Sequence, residues 1–336
     1  MSSELLFRWR ILTKFLAREH ASTQIVGPRP RSEWRTSRRR GVFWIGSLLM
    51  SIGAGLFVRA EIYRRISRYD HVSVINPARS GGTLLIAGGG QLSEMIRQRF
   101  IELAGGHAAR IVIIPAEATD DESRRQYRDA WAHFDVRCID VLHADSRSEA
   151  DNPEVSQMLE SATGVWLGGG QQTWLSGSYG QTLVEIRLKQ VLSRNGVIGG
   201  TSAGAAVMSR VMIAGGREKP TMGRGFDLIP DAVVDQHFLK RNRFSRLLHV
   251  LEQHPELIGF GIDEGTALQY GVEKGRFQVL GQSCVVAIVS DPIPEGHPRF
   301  HLQILNPGDE FDVERLRRGE TVPRGIANVE DVLFGE

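Results

Sequence analysis

The chain has 336 residues, of which 41% are hydrophobic and 24% charged. That length allows about two domains, and the composition is that of a globular protein able to bury a large core, so an enzyme is possible. The net charge of +2 combines a basic leader with an acidic remainder: residues 1–40 hold ten Lys/Arg and three Asp/Glu, leaving 31 basic against 36 acidic residues, or −5. A broad basic surface for nucleic acid is therefore not expected.

The N-terminal part is predicted to be a targeting element. Basic residues 1–40, predicted to be a disordered leader, run into the uncharged stretch Gly41–Val58, which is the plan of a signal peptide. The run Arg38-Arg39-Arg40 also resembles a twin-arginine export signal. Residues 41–59 are barely long enough to span a membrane and are glycine-rich, so a signal or a weak anchor is favoured over a strong transmembrane helix, with a buried helix as the alternative.

The excess of positive charge before this segment predicts that the N-terminus is cytoplasmic. The catalytic part is then expected outside the cytoplasm, exported or anchored through residues 41–58. Residues 60–80 are predicted to be a linker, residues 81–310 a catalytic domain and residues 311–336 a C-terminal extension.

From residue 81 the chain alternates short apolar runs with helical patterns, which is typical of βαβ units. The expected strands are Thr83–Ala87, Arg110–Pro115, Val136–Leu142, Val165–Leu167 and Val197–Gly200. The expected helices are Leu92–Ala104, Asp121–His133, Glu154–Ala162 and those within Gln171–Ser193. The pattern predicts an α/β fold, a three-layer α/β/α sandwich with a mainly parallel sheet. Later strand-like runs without long helices between them predict mixed or antiparallel edge strands.

Nothing in the sequence indicates a nucleotide or metal cofactor. Gly88-Gly89-Gly90 follows the first strand, but the third glycine of a dinucleotide-binding motif would fall at Ser93, and no Walker lysine is present. Cys138 and Cys284 lie in apolar runs without metal-ligand spacing, which favours two buried thiols. The glycines are interpreted as a strand-to-helix turn, and no cofactor is expected.

Ser202 is the candidate nucleophile. Gly200-Thr201-Ser202-Ala203-Gly204 fits the pattern G-x-S-x-G between a predicted strand and a helix. Flanking glycines allow the sharp turn that exposes a serine hydroxyl, while the helix N-terminus faces developing negative charge. The alternative is that these small residues serve only close packing of helix on strand.

A nucleophilic serine needs a base, and the base needs an orienting carboxylate. His237 ends one apolar run, and Asp263 and Glu264 end the next. Because ligands in such folds bind at the carboxyl ends of strands, these side chains are expected at the edge that carries Ser202. The residues alone leave the choice between the two carboxylates open.

Three segments together carry a family resemblance. They are Gly199-Gly200-Thr201-Ser202-Ala203-Gly204-Ala205; Asp235-Gln236-His237-Phe238 followed by Arg241, Arg243 and Arg246; and Gly261-Ile262-Asp263-Glu264-Gly265-Thr266-Ala267. From about residue 81 to 308 the chain resembles the cyanophycinase group of serine peptidases, peptidase family S51. This group is related to the α-aspartyl dipeptidases within the class I glutamine amidotransferase-like (flavodoxin-like) fold.

The resemblance implies roles for individual residues. Ser202 would be the nucleophile, His237 the general base and Glu264 the orienting acid, in an order that differs from that of the α/β-hydrolases, which remain the weaker alternative. Gln171 would line the substrate pocket, although Gly170 stands where the family usually has aspartate. Backbone N–H groups of Gly169 or Gly170 and of Ala203 are the candidate oxyanion hole.

The arginines after His237 suggest a substrate class. Arg241, Arg243 and Arg246 are expected to bind aspartyl carboxylates, because a guanidinium binds carboxylates bidentately. Asp235 is placed to bind a substrate guanidinium, and Gln236 is also assigned to the pocket. The alternative is a solvated basic helix face.

These expectations describe an exported or membrane-anchored, cyanophycinase-like serine exopeptidase that acts on β-Asp-Arg bonds. The expected partner is an aspartate- and arginine-rich peptide, with no nucleic acid or metal, and the protein is expected to be a homodimer. The alternatives are an aspartyl dipeptidase, another serine hydrolase, or a catalytically silent relative that binds acidic peptides.

Overall fold

The computed structural model describes residues 81–117, 120–291, 299–320 and 326–328. The leader, the apolar segment and the linker predicted for residues 1–80 lie outside these described residues. Within the described ranges, no helix combines the length and the apolar character needed to cross a membrane.

The strands, in chain order, are β1 (Thr83–Ala87), β2 (Arg110–Ala116), β3 (Cys138–Val141), β4 (Gly164–Gly170), β5 (Val197–Thr201), β6 (Val211–Gly215), β7 (Thr221–Arg224), β8 (Ala232–Gln236), β9 (Ile258–Ile262), β10 (Thr266–Gly271), β11 (Arg276–Gly281), β12 (Val285–Asp291), β13 (Arg299–Leu305), β14 (Glu310–Asp312) and β15 (Ile326–Asn328). The helices are α1 (Glu94–Leu103), α2 (Asp121–Asp129), α3 (Arg147–Ala150), α4 (Pro153–Ser156), α5 (Met158–Ser161), α6 (Gln172–Tyr179), α7 (Leu183–Ser193), α8 (Ala203–Ala206), α9 (Phe244–Gln253) and α10 (Val313–Arg317). A 3₁₀ turn spans Gly106–Ala108.

The larger sheet has eight strands in the order β14-β11-β10-β1-β5-β4-β2-β3. The five neighbouring strands β1, β5, β4, β2 and β3 are parallel, as predicted. On the other side of β1, the strands β10, β11 and β14 continue the sheet in antiparallel pairs. The chain after residue 310, predicted from the sequence to be an extension, supplies most of the edge strand β14 here and the strand β15 in the second sheet.

A second sheet has five strands in the order β15-β13-β12-β9-β8. Strands β8 and β9 are parallel, and the remaining neighbours are antiparallel. The strand-like runs after α9 are therefore shared between two sheets, which hydrophobic periodicity alone does not reveal. Strands β6 and β7 form a separate antiparallel hairpin.

Alternate residues of the central strands enter two different cores, so the larger sheet is the middle of three layers. On β1, Leu84 and Ile86 join the core under α6, α7 and α8, whereas Leu85 joins the core under α1. The second core contains Trp166, whose ring lies 5.1 Å from that of Phe100. The predicted α/β sandwich is thus confirmed.

The carboxyl ends of the parallel strands form one edge, and the second sheet is attached to it by backbone hydrogen bonds. The N–H of His237, which follows β8, donates to Gly88 O at 2.6 Å, and the N–H of Gly265, which follows β9, donates to Gly89 O at 3.1 Å. The residues that follow β8 and β9 are thereby fixed next to the turn that follows β1.

Candidate active site

Ser202 lies at a sharp turn between β5 and α8. Its backbone has φ 52° and ψ −108°, a sparsely populated conformation that costs on the order of 1–3 kcal/mol and persists only where the surroundings enforce it. They do so here, because Ser202 N donates to Ala87 O at 3.1 Å while Ser202 O accepts from the N–H groups of Ala205 and Ala206. This is the geometry of a nucleophile elbow.

The packing explanation for the small residues also holds. A Cβ on Gly204 would lie 2.2 Å from Leu167 O, and one on Gly200 would lie 2.6 Å from Gly204 O. The glycines let α8 pack against β4 and let the chain turn at Ser202, so the two interpretations describe one local structure.

Three side chains form a continuous relay. Ser202 Oγ lies 2.8 Å from His237 Nε2, and His237 Nδ1 lies 2.6 Å from Glu264 Oε1. Because an ionised carboxylate only accepts hydrogen bonds, Nδ1–H donates to Glu264, and Nε2 is left to accept the serine proton. The hydroxyl, the imidazole and the carboxylate are therefore arranged for proton transfer away from Ser202.

The structure distinguishes the two adjacent carboxylates. Asp263 accepts from the backbone N–H of Lys240 at 3.1 Å and from Ser283 Oγ at 2.8 Å. Its oxygens hold the neighbouring loops in place, while Glu264 alone of the pair contacts His237.

The environment of His237 favours the neutral imidazole. Burial lowers the pKa of His237 below its usual value, and the hydrogen bond from His237 to Glu264 opposes this effect by raising it. The nearby charges of Arg241 and Arg243 lower the pKa further. At neutral pH the ring is thus unprotonated and able to act as a base.

Gly89 and Gly90, interpreted from the sequence as a simple turn, lie directly against this relay. Gly89 has φ +101°, and a Cβ there would lie 2.5 Å from His237 Cε1. Gly90 has φ +72°, and its Cβ would lie 2.9 Å from Glu264 Cβ. Sequence reasoning missed this role, and the available signal was only that the glycines follow a strand at the edge that carries Ser202.

Two of the three candidate oxyanion residues adjoin Ser202. A Cβ built on Gly169 would lie 3.8 Å from Ser202 Cβ, and Ala203 is the first residue of α8, whose N–H has no intrahelical acceptor. Gly170 lies at the end of the β2–β4 ladder opposite Ala116. Its φ is +141°, and a Cβ there would lie 2.9 Å from Ala116 O, so the local backbone suits glycine at this position.

The two glutamines after Gly170 lie in different settings. Gln171 is exposed and precedes α6, with its backbone N–H bonded to Ala116 O at 3.0 Å. Gln172 instead donates through Nε2 to the carbonyls of Ile213 and Ala214, each at 3.0 Å. Gln171 is therefore the one exposed at the sheet edge.

The predicted substrate-binding residues after β8 are largely paired with one another. Arg246 is 3% exposed and Asp235 fully buried; Arg246 Nε donates to Asp235 Oδ2 at 2.8 Å, and Nη2 donates to Oδ1. Arg243 donates to the backbone oxygen of Gln236 at 2.6 Å and to its side-chain oxygen. Arg241, by contrast, is exposed. The structure thus gathers four of these residues into an internal network and leaves Arg241 facing solvent.

Metal-ligating side chains are not grouped in this part of the fold. Among the described residues, no set of three or more His, Cys, Asp and Glu is arranged to hold a metal ion.

Comparison with known proteins places the chain in a family. The sequence model of Peptidase family S51 matches residues 83–278. The chain is 32% identical over 272 residues to a cyanophycinase of Synechococcus elongatus, with 73% of this chain and 84% of the relative covered. It is also 32% identical over 256 residues to a cyanophycinase of Geminocystis herdmanii, with 68% and 93% covered.

A solved structure shares the fold. The crystal structure of a peptidase from an acI-B1 Actinobacterium superposes with a TM-score of 0.55 at 22% identity, covering 70% of this chain and 98% of that one. That likeness concerns the fold alone. The family match over more than half of the chain and the two cyanophycinases carry the identification: the chain belongs to peptidase family S51 and is a serine-type peptidase.

Proposed function

We propose that this peptidase is a cyanophycinase-like exopeptidase in which Ser202, His237 and Glu264 form the catalytic triad. The observation that carries the proposal is the unbroken hydrogen-bonded relay, 2.8 Å from hydroxyl to imidazole and 2.6 Å from imidazole to carboxylate. Those distances are within the reach required for proton transfer. An intact relay argues against a catalytically silent peptide-binding protein.

Each group has a defined step in the proposed reaction. His237 Nε2 takes the proton of Ser202 as Oγ attacks the scissile carbonyl, and Glu264 stabilises the imidazolium that results. The N–H groups of Gly169 and Ala203 donate to the oxyanion, and one good donor is worth about 2.7–4 kcal/mol in the transition state. The imidazolium protonates the leaving amine. His237 then deprotonates the water that attacks the acyl-enzyme and returns this proton to Ser202 Oγ as the acyl group leaves.

The proposed substrate is an aspartate- and arginine-rich peptide of the cyanophycin type. Two relatives at 32% identity are cyanophycinases, and the basic residues after His237 suit a substrate with carboxylates. Within that set, Arg241 is an exposed cation that is bonded to the base through the backbone, because its N–H donates to His237 O at 3.0 Å. Asp235 and Arg246 neutralise each other, so we assign them the support of the pocket.

The test is hydrolysis of cyanophycin and of a panel of α- and β-aspartyl dipeptides by the purified protein. Ser202→Ala should abolish activity on every substrate that the parent cleaves, and Ser193→Ala, on α7, is the matched control and should leave it unchanged. Cleavage of α-aspartyl dipeptides alone would favour the aspartyl dipeptidase alternative. Activity of Ser202→Ala within tenfold of the parent would exclude the serine mechanism.

We also propose that residues 1–58 direct export or anchoring, with the peptidase outside the cytoplasm. The basic leader and the uncharged segment support this proposal.

A further inference from the structure

The β6–β7 hairpin is held against the candidate active site from two sides. Gln172, at the start of α6, donates to the carbonyls of Ile213 and Ala214 on β6. Arg246, on α9, donates through Nη1 to Gly216 O at 2.5 Å, at the beginning of the hairpin tip, residues 216–220. The hairpin therefore links the two elements that flank the site.

Gln172 and Arg246, the two residues that hold the hairpin, each lie close in the chain or by contact to a residue of the proposed triad. Gln172 is two residues beyond the end of β4, whose Gly169 adjoins Ser202. Arg246 pairs with Asp235, which lies two residues before His237. The hairpin tip thus lies beside the buried network of Asp235 and Arg246, which leads to His237.

This region has an unusual charge for the chain. Residues 210–246 hold eight Lys/Arg and four Asp/Glu, or +4, whereas the chain after the leader is net acidic. At the hairpin tip, Arg217 and Lys219 are exposed, with one acid, Glu218, between them. Lys240 and Arg241, which follow His237 by three and four residues, are exposed as well.

The cations of this region fall into two groups. Arg243 and Arg246 form ion pairs with Asp235 and donate hydrogen bonds to backbone oxygens. Arg217 and Lys219 form no side-chain hydrogen bond or ion pair with any described residue. They contribute nothing of that kind to the fold, so their charge remains available to a bound anion.

The same edge of the larger sheet also carries exposed carboxylates, Glu117 after β2 and Asp145 four residues after β3. These carboxylates have partners of their own, since Tyr127 donates to Glu117 and Arg124 lies within electrostatic range of Asp145. They differ in this respect from Arg217 and Lys219, which have no such partner among the described residues.

We propose that Arg217 and Lys219 form an extended subsite that binds the carboxylates of substrate residues beyond the pair joined by the scissile bond. The proposal rests on the proposed peptidase function and narrows its substrate class to polypeptides longer than a dipeptide that carry free carboxylates near the scissile bond. The subsite accelerates capture of the substrate and leaves the chemical step at Ser202 unchanged.

The test compares a β-aspartyl dipeptide with two extended peptides. One carries three additional aspartates at its N-terminus, and the other carries them at its C-terminus. Arg217→Gln/Lys219→Gln should lower kcat/KM about 2- to 30-fold on one extended peptide, because two exposed ion pairs are lost, and should leave kcat/KM on the dipeptide unchanged. The parent's preference for the extended peptide should shrink when salt is raised from about 0.05 to 0.5 M, since exposed charges are screened.

The matched control is Arg137→Gln/Lys274→Gln, which removes the same charge at the opposite edge of the sheet. Arg137 immediately precedes β3, and Lys274 lies in the turn between β10 and β11. Both are exposed. An equal loss in this control would show a general charge effect and overturn the proposal, as would an unchanged kcat/KM of the hairpin variant on both extended peptides.

A binding measurement separates this proposal from the proposed function. Fluorescence anisotropy of the extended peptides on Ser202→Ala protein, with and without the two hairpin substitutions, needs no hydrolysis. Weaker binding of one extended peptide upon hairpin substitution supports the subsite even if the parent fails to cleave the dipeptide. Equal binding overturns it even if Ser202 proves catalytic.

Discussion

Glu264→Gln is the substitution that tests the proposed relay most fully, because it changes one charge and little else. The amide is nearly the same size as the carboxylate and can still accept a hydrogen bond from His237 Nδ1, which lies 2.6 Å from Oε1. It cannot stabilise the imidazolium by charge, and its NH₂ group can instead donate to the ring and hold the wrong tautomer.

The type of hydrogen bond that Glu264 forms with His237 determines how far kcat/KM should fall in Glu264→Gln. Loss of one charge-assisted hydrogen bond, about 1.5–3 kcal/mol, predicts a fall in kcat/KM of roughly 10- to 150-fold, and selection of the wrong tautomer extends it towards ten-thousandfold. His237→Ala removes the base itself and should cost about a millionfold. Glu264→Gln should therefore be the milder variant.

The pH dependence gives a second, independent readout. Glu264 raises the pKa of His237 against the larger lowering effect of burial. Its removal lowers that pKa further, so the acidic limb of kcat/KM against pH, which reports the free base, should move to lower pH. Initial rates on a chromogenic aspartyl substrate between about pH 4 and 9 measure both effects. An acidic limb that stays in place, or moves up, would refute the assignment of Glu264.

The remaining predictions concern packing, the buried network and export. Gly89→Ala forces a Cβ against the imidazole of His237 at φ +101° and should reduce kcat severely. Gly177→Ala, with open space on α6, should leave activity intact and raise the free energy of unfolding by up to about 1 kcal/mol in urea denaturation. Arg246→Met leaves the buried carboxylate of Asp235 with only the 3.3 Å contact from Arg243 and should lower the free energy of unfolding by up to about 3–5 kcal/mol; an unchanged urea midpoint would contradict the buried pair. Residues 1–75 fused to a reporter active only outside the cytoplasm should give signal, and a silent reporter would contradict export.

The sequence predicted the parallel part of the fold because that information is local. Buried parallel strands such as β1 and β2 are continuous apolar runs, and the helices between them have a different period. The same logic predicted that Ser202 and His237 each follow a strand. The choice of Glu264 over Asp263 came from the family resemblance, because two adjacent carboxylates differ only in the direction each side chain takes.

What the sequence did not reveal depends on contacts between distant segments. Gly89 adjoins His237 only because the second sheet is attached to the turn after β1, almost 150 positions earlier in the chain. The pairing of Asp235 with Arg246 likewise requires α9 to pack back onto the second sheet, against β9 and β12, so a basic run that looked like substrate-binding surface includes a buried structural ion pair. Charge alone does not distinguish those two roles, whereas burial and partners do.

The most direct measurement of the central claim is covalent labelling by a fluorophosphonate probe, which reacts with activated serines. The account predicts that one probe adds at Ser202, identified by peptide mass spectrometry, with loss of activity in proportion to labelling. His237→Ala should slow the labelling strongly, because the hydroxyl loses its base. A protein that cleaves aspartyl peptides at full rate with Ser202 labelled, or that is labelled at another serine as it loses activity, would contradict the account.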